Sequence, residues 1–100
     1  MANRRQSRYG RVDANQKEVV ERLRKCGFSV AILSNIGKGV PDLLVGANGI
    51  NYLIELKDGS KPPSQRRLTE DEKAFAESWR GFVAVCNSAD EILELIDERH

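Results

Sequence analysis

Histidine is almost missing from this 100-residue sequence, and the one present is the last residue, His100. That scarcity excludes a large share of hydrolytic chemistry, because Ser-His-Asp and Cys-His catalysis and histidine-ligated zinc all need an imidazole in a packed site. Cysteine is nearly as scarce. Cys26 and Cys86 stand apart without C-x-x-C spacing, which argues against a zinc site or a disulfide framework and leaves two reduced, buried thiols as the expectation. No apolar run approaches the roughly 20 residues of a membrane span. The opening stretch MANRRQSRYGR also has no apolar segment of the signal-peptide kind. A cytoplasmic protein with no membrane partner is expected. With 40% hydrophobic and 31% charged residues, one small globular domain with a modest core is what the composition allows.

The net charge of +1 conceals an uneven distribution. Residues 1–12 carry Arg4, Arg5, Arg8 and Arg11, with Tyr9 and no acid. They read as a basic, flexible arm that could follow a phosphate backbone, or as a tail that aids solubility. Residues 13–100 read as the folded domain. Its end is acidic, with Asp90, Glu91, Glu94, Asp97 and Glu98.

Three helix starts share one device, the capping box, in which a short polar side chain caps the helix and Glu or Gln three residues later reaches back. Asp13 to Gln16 opens the first helix, Thr69 to Glu72 the second, and Ser88 to Glu91 the third. Val19, Val20, Leu23 and Cys26 give the first helix its apolar stripe, and Gly27 ends it. Phe75 and Trp79, before Gly81, read as core or dimer-interface packing. Between the helices lie four strand candidates: Phe28 to Ser34, Asp42 to Gly46, Asn51 to Lys57, and the continuous apolar run Phe82 to Cys86, expected to be buried on both faces. Asn48-Gly49 predicts a hairpin between the second and third. The expected fold is therefore α/β, a single domain of order α-β-β-β-α-β-α with a mixed central sheet flanked by helices.

The stretch GVPDLLVGANGINYLIELKDG, from Gly39 to Gly59, sets Asp42, Glu55 and Lys57 among aliphatic residues. Ionised groups beside a core are costly unless something compensates them. Strand alternation puts Glu55 and Lys57 on one face, roughly 7 Å apart along the chain. An exposed ion pair would be the plain reading of E-x-K alone. A hairpin changes it, because the strand entered at Pro41-Asp42 then lies alongside and its acid comes near Glu55. Two adjacent carboxylates repel, a divalent cation removes the repulsion, and a lysine beside them can place a water. Acidic oxygens with no imidazole suit Mg2+ or Mn2+.

Pro41-Asp42 followed by Glu55-Leu56-Lys57 resembles the PD-(D/E)xK nuclease signature. GVPDLLVG, YLIELKDG and LTEDEKAFAESWRGFVAVCNSADE are together similar to the virus-type replication and repair nuclease domain, VRR-Nuc, in its stand-alone phage form. The likeness runs from about Asp13 to about Ile96. It implies a restriction-endonuclease-like core, with Asp42 and Glu55 as metal-binding acids, the Leu56 carbonyl as a further ligand and Lys57 as the catalytic lysine. It also implies an acid on the first helix. Glu18 is the candidate, since EVVERLRKCGF resembles a phrase of archaeal junction resolvases. The family's Gln after the E-x-K strand has no plain counterpart, and Gln65, Glu72 and Lys73 all stand in that region.

KDGSKPPSQRR cannot continue a strand through Pro62 and Pro63 and reads as a loop, in which Lys61, Arg66 and Arg67 could hold phosphates. Lys38, in Gly37-Lys38-Gly39, could do the same from a flexible turn. The resemblance implies a metal-dependent DNA endonuclease that acts as a homodimer on branched DNA such as a Holliday junction or a flap. The alternatives are a catalytically silent DNA-binding or assembly module of the same fold, and a small interaction protein in which GVPDLLVG is merely a hairpin.

Overall fold

The computed structural model describes residues 14–99. The arm, Arg11, the Asp13 cap and His100 lie outside the described residues. The chain runs α1 (Ala14–Lys25), β1 (Ser29–Ile32), β2 (Leu43–Ala47), β3 (Ile50–Leu56), a 3-10 turn (Pro63–Gln65), α2 (Glu70–Ser78), β4 (Val83–Cys86) and α3 (Ala89–Arg99). This is the α-β-β-β-α-β-α order read from the sequence.

The strands form one sheet in the order β1-β2-β3-β4. β2 pairs antiparallel with both β1 and β3, and β4 pairs parallel with β3. The β2–β3 turn closes as the Asn-Gly pair predicts, with Asn48 at φ 56° and Gly49 at φ 80°. Positive φ at both positions is the type I′ geometry that matches strand twist. It sets Leu43 opposite Ile54 and Leu44 opposite Leu53.

Alternation then sorts the two faces. Leu43, Val45, Tyr52 and Ile54 are fully buried on one, against Val19, Val20 and Leu23 of α1 and Ile92 and Ile96 of α3. Arg22 of α1 and Asp90 of α3 pair at 2.5 Å across the outer side of that helical layer. Among the described residues the other face is covered by α2, whose Phe75 and Ala76 meet Val83 and Val85 around a small apolar pocket.

Two expectations are corrected. β4 is not buried on both faces: Val85 is 46% exposed, because the nine-residue α2 is too short to cover the sheet edge. Cys26 is exposed, since α1 ends at Lys25 and the chain turns away at Gly27, φ 91°, before the apolar stripe reaches it. Cys86 is buried as expected, and burial pushes its thiol up to about 11, which keeps it protonated and inert.

The loop from β1 to β2 is anchored by Gly39. A Cβ there would lie 2.2 Å from the Asp71 carbonyl oxygen, and the residue sits at φ 81°. Only glycine permits this approach. The contact brings Gly37-Lys38-Gly39 against the first turn of α2.

Candidate active site

The acids of interest lie where β2 begins and β3 ends. Continuing the β2–β3 register by one step places Asp42 opposite Glu55, on the sheet face that α2 covers. On the β4 side, Glu55 is in register with Val85. One neighbour of Glu55 is thus a carboxylate and the other an aliphatic side chain. Glu55 is 5% exposed. Burial, then the charges of Asp42 and Glu72 and a hydrogen bond with Asp42, raise its carboxyl to about 9, against the smaller opposing pull of Lys57. At neutral pH Glu55 therefore holds its proton in the metal-free protein.

Asp42 is held by β3 and by the two residues that follow β1. Its Oδ2 accepts from the Leu56 backbone N–H at 2.8 Å. Its own carbonyl accepts from the Leu33 N–H at 2.7 Å. Its Oδ1 lies 3.4 Å from the Ser34 hydroxyl, which also donates to Gln16 Oε1 at 3.0 Å.

Lys57 projects to the same place. Its ammonium donates to Glu72 Oε1 at 2.8 Å and lies 3.6 Å from Glu55 Oε2. Burial pushes the amine down, but the Glu72 hydrogen bond and the surrounding carboxylates outweigh it, so the amine titrates above its ordinary value. Lys57 is a cation here, which suits it to holding and orienting rather than abstracting protons.

Glu72 serves two structures together. The Thr69–Glu72 capping box is complete: Thr69 Oγ1 accepts from the Glu72 N–H at 3.1 Å, and Glu72 Oε1 accepts from the Thr69 N–H at 2.9 Å. Glu72 Oε1 also receives Lys57. Burial raises this carboxyl, yet the Lys57 and Thr69 hydrogen bonds win and keep it below the usual range. Glu72→Ala is expected to cost about 1–2 kcal/mol of stability, the worth of a cap and a charged hydrogen bond. Glu72→Gln should cost less, because an amide oxygen can serve both donors. Urea unfolding of the two variants measures the difference.

The other candidates are placed more loosely. Glu18 is exposed on α1, and the α1 side chain that reaches toward Asp42 is Gln16, 5% exposed and linked through Ser34. The helical stripe could have shown this. Gln16 precedes Val19, Val20 and Leu23 at three-, four- and seven-residue spacing, a pattern concealed by reading it as the partner of the Asp13 cap. Gln65 lies exposed in the 3-10 turn and Lys73 is exposed on α2. Lys38, at φ 58°, is exposed on the loop beside α2. Lys61 and Arg67 are exposed on the loop after Lys57, and Arg66 is half-buried with its Nε donating to the Lys61 carbonyl at 2.8 Å.

Among the described residues, no group of three or more His, Cys, Asp and Glu is arranged to hold a metal ion. Two adjacent carboxylates still fit Mg2+, which commonly uses one or two carboxylates and completes its shell with water and phosphate oxygens. Glu55, buried beside a second acid, is also a group that a cation would relieve. Among the described residues, no helix is long and apolar enough to cross a membrane.

No family model matches the chain, and no curated protein does. Among solved structures the chain is similar to one described as a VRR_NUC domain, with a TM-score of 0.54 and 31% sequence identity over 93% of this chain and 98% of the other.

Proposed function

The chain belongs to the VRR-Nuc family of nucleases, and from that premise we propose that it is a Mg2+- or Mn2+-dependent DNA endonuclease acting on branched DNA as a homodimer. Nuclease activity and DNA binding follow from the family. The observation that carries the metal-dependent reading is the placement of Asp42 opposite the buried Glu55, with the Lys57 ammonium 3.6 Å from Glu55 Oε2. Asp42, Glu55 and the Leu56 carbonyl would hold the cation. When bound, it would neutralise charge developing on the phosphate and make a nearby water more acidic.

The chain's own groups prepare for that chemistry. The Leu56 N–H fixes one oxygen of Asp42, so the carboxylate need not be ordered at the moment of reaction. Lys57, charged and tethered by Glu72, supplies a hydrogen-bond donor to the attacking water or to a phosphate oxygen. Lys38, Lys61, Arg66 and Arg67 would meet the DNA backbone on the loops that flank the site. A dimer is favoured by the apolar surface that this chain leaves open, with Val85 46% and Trp79 47% exposed. Two identical sites about a two-fold axis also suit a four-way junction.

The test is cleavage of an end-labelled four-way junction beside the matching linear duplex. Cuts in the junction that need Mg2+ or Mn2+ are expected. Binding without cleavage in either metal would leave a silent DNA-binding module, and equal cutting of both substrates would remove the branch preference.

A further inference from the structure

The polar connection from α1 to Asp42 has no part in the chemistry above. Gln16 is 5% exposed, on the same helical stripe as Val19, Val20 and Leu23. An aliphatic side chain would fill that position without the desolvation cost of an amide. The amide instead reaches Ser34, whose hydroxyl stands 3.0 Å from Gln16 Oε1 and 3.4 Å from Asp42 Oδ1. The Leu33 N–H, bonded to the Asp42 carbonyl at 2.7 Å, clamps the segment bearing that hydroxyl beside Asp42. Asp42 is therefore fixed at Oδ2 by the β3 backbone, while its Oδ1 faces the Ser34 hydroxyl.

We propose that Gln16 and Ser34 are positioning residues that set the plane of the Asp42 carboxylate, so that it and Glu55 can share one divalent cation. The inference rests on the metal-dependent reading under Proposed function. The hydroxyl has one hydrogen, and the shorter contact gives it to Gln16. An amide carries a donor end as well as an acceptor end. Turned by half a rotation, its Nε2–H would donate to Ser34 Oγ and release the hydroxyl hydrogen to Asp42 Oδ1. In that orientation the arm holds Asp42 Oδ1 by a hydrogen bond and Ser34 by a second. A carboxylate at position 16 could not, because it has no donor.

The experiment is calorimetric titration of Mn2+ into the metal-free protein, with thermal unfolding of each variant as the folding control. Asp42→Asn is expected to abolish binding. Ser34→Ala and Gln16→Leu should each weaken it about tenfold, the usual effect of removing a group that orients a metal ligand. The double variant should be little worse than either single one, because the two act in series. Ser34→Thr keeps the hydroxyl and should restore binding to within about twofold of wild type on that same count. If Asp42→Asn loses binding while Ser34→Ala and Gln16→Leu keep it, the inference falls and the metal reading stands. If Ser34→Thr weakens binding as much as Ser34→Ala, the hydroxyl is not the agent and the inference again falls. Undiminished binding by Asp42→Asn would overturn the metal reading and this inference with it. Should Gln16→Leu fail to fold, Ser34→Ala removes only one oxygen from a half-buried site and carries the test.

Discussion

Lys57→Ala is expected to slow single-turnover cleavage of a four-way junction by on the order of 10³-fold in Mg2+ while leaving Mn2+ binding within a few-fold of wild type. The separation of the two readouts follows from the geometry. Lys57 is not a candidate ligand; its ammonium is held 2.8 Å from Glu72 and 3.6 Å from Glu55, from where it can reach a water or a phosphate oxygen. Its amine titrates above its ordinary value, so its charge is constant across neutral pH and the loss should not depend on pH between about 6 and 9. Removing it also leaves Glu55 and Glu72 without their cation. The fold control therefore belongs near pH 7, where Glu55 still carries its proton. Cleavage that survives Lys57→Ala would mean that the activity has another source or that Lys57 has no part in it.

Without divalent metal, the protein is expected to lose stability steadily as pH rises from about 5 to about 9. The Glu55 carboxyl sits at about 9 in the fold against an ordinary value of 4.5, so the folded state binds one proton more than the unfolded chain across that window. Stability from such a group is complete below the unfolded value and is lost as pH climbs through the folded one. Asp42 and Glu72 face Glu55 as further acids and Lys57 as the opposing cation. The Lys57 contribution is lost only above its ordinary value of 10.5 and that of Glu72 only in acid, below 4.5; neither slopes within the window. At about 1.4 kcal/mol per unit, even half of the Glu55 shift amounts to roughly 3 kcal/mol, or more than 10 °C in the melting temperature of a domain this size. Glu55→Gln, neutral at every pH, should flatten the dependence. Mn2+ should reverse it, since the cation competes with the proton and stabilises most where the pair has lost it. Thermal melts at pH 5, 7 and 9, with chelator and with Mn2+, measure both effects. A flat profile for the metal-free wild type would remove the buried acid pair from the account.

The short-range parts of this protein could be read directly from its residues. Asn48-Gly49 demands positive φ at two successive positions, that demand selects one turn type, and the turn sets Asp42 opposite Glu55 with no help from the rest of the chain. Thr69 and Glu72 close their capping box within one helical turn, and Val19, Val20 and Leu23 define a buried stripe by period alone. Tertiary structure decided what those elements meet. Glu55 becomes a proton-holding acid because β4 brings Val85 to one side of it and Asp42 occupies the other. Lys57 finds Glu72, fifteen residues away, only because Gly39 lets the β1–β2 loop seat against the start of α2 and the helix folds over the sheet. Gln16 rather than Glu18 faces the site because α1 packs by its apolar stripe and carries with it whatever polar residue shares that stripe. Turns, caps and periodicity are governed by local φ/ψ and hydrogen bonding, whereas desolvation and charge pairing depend on which distant segments exclude water from each other.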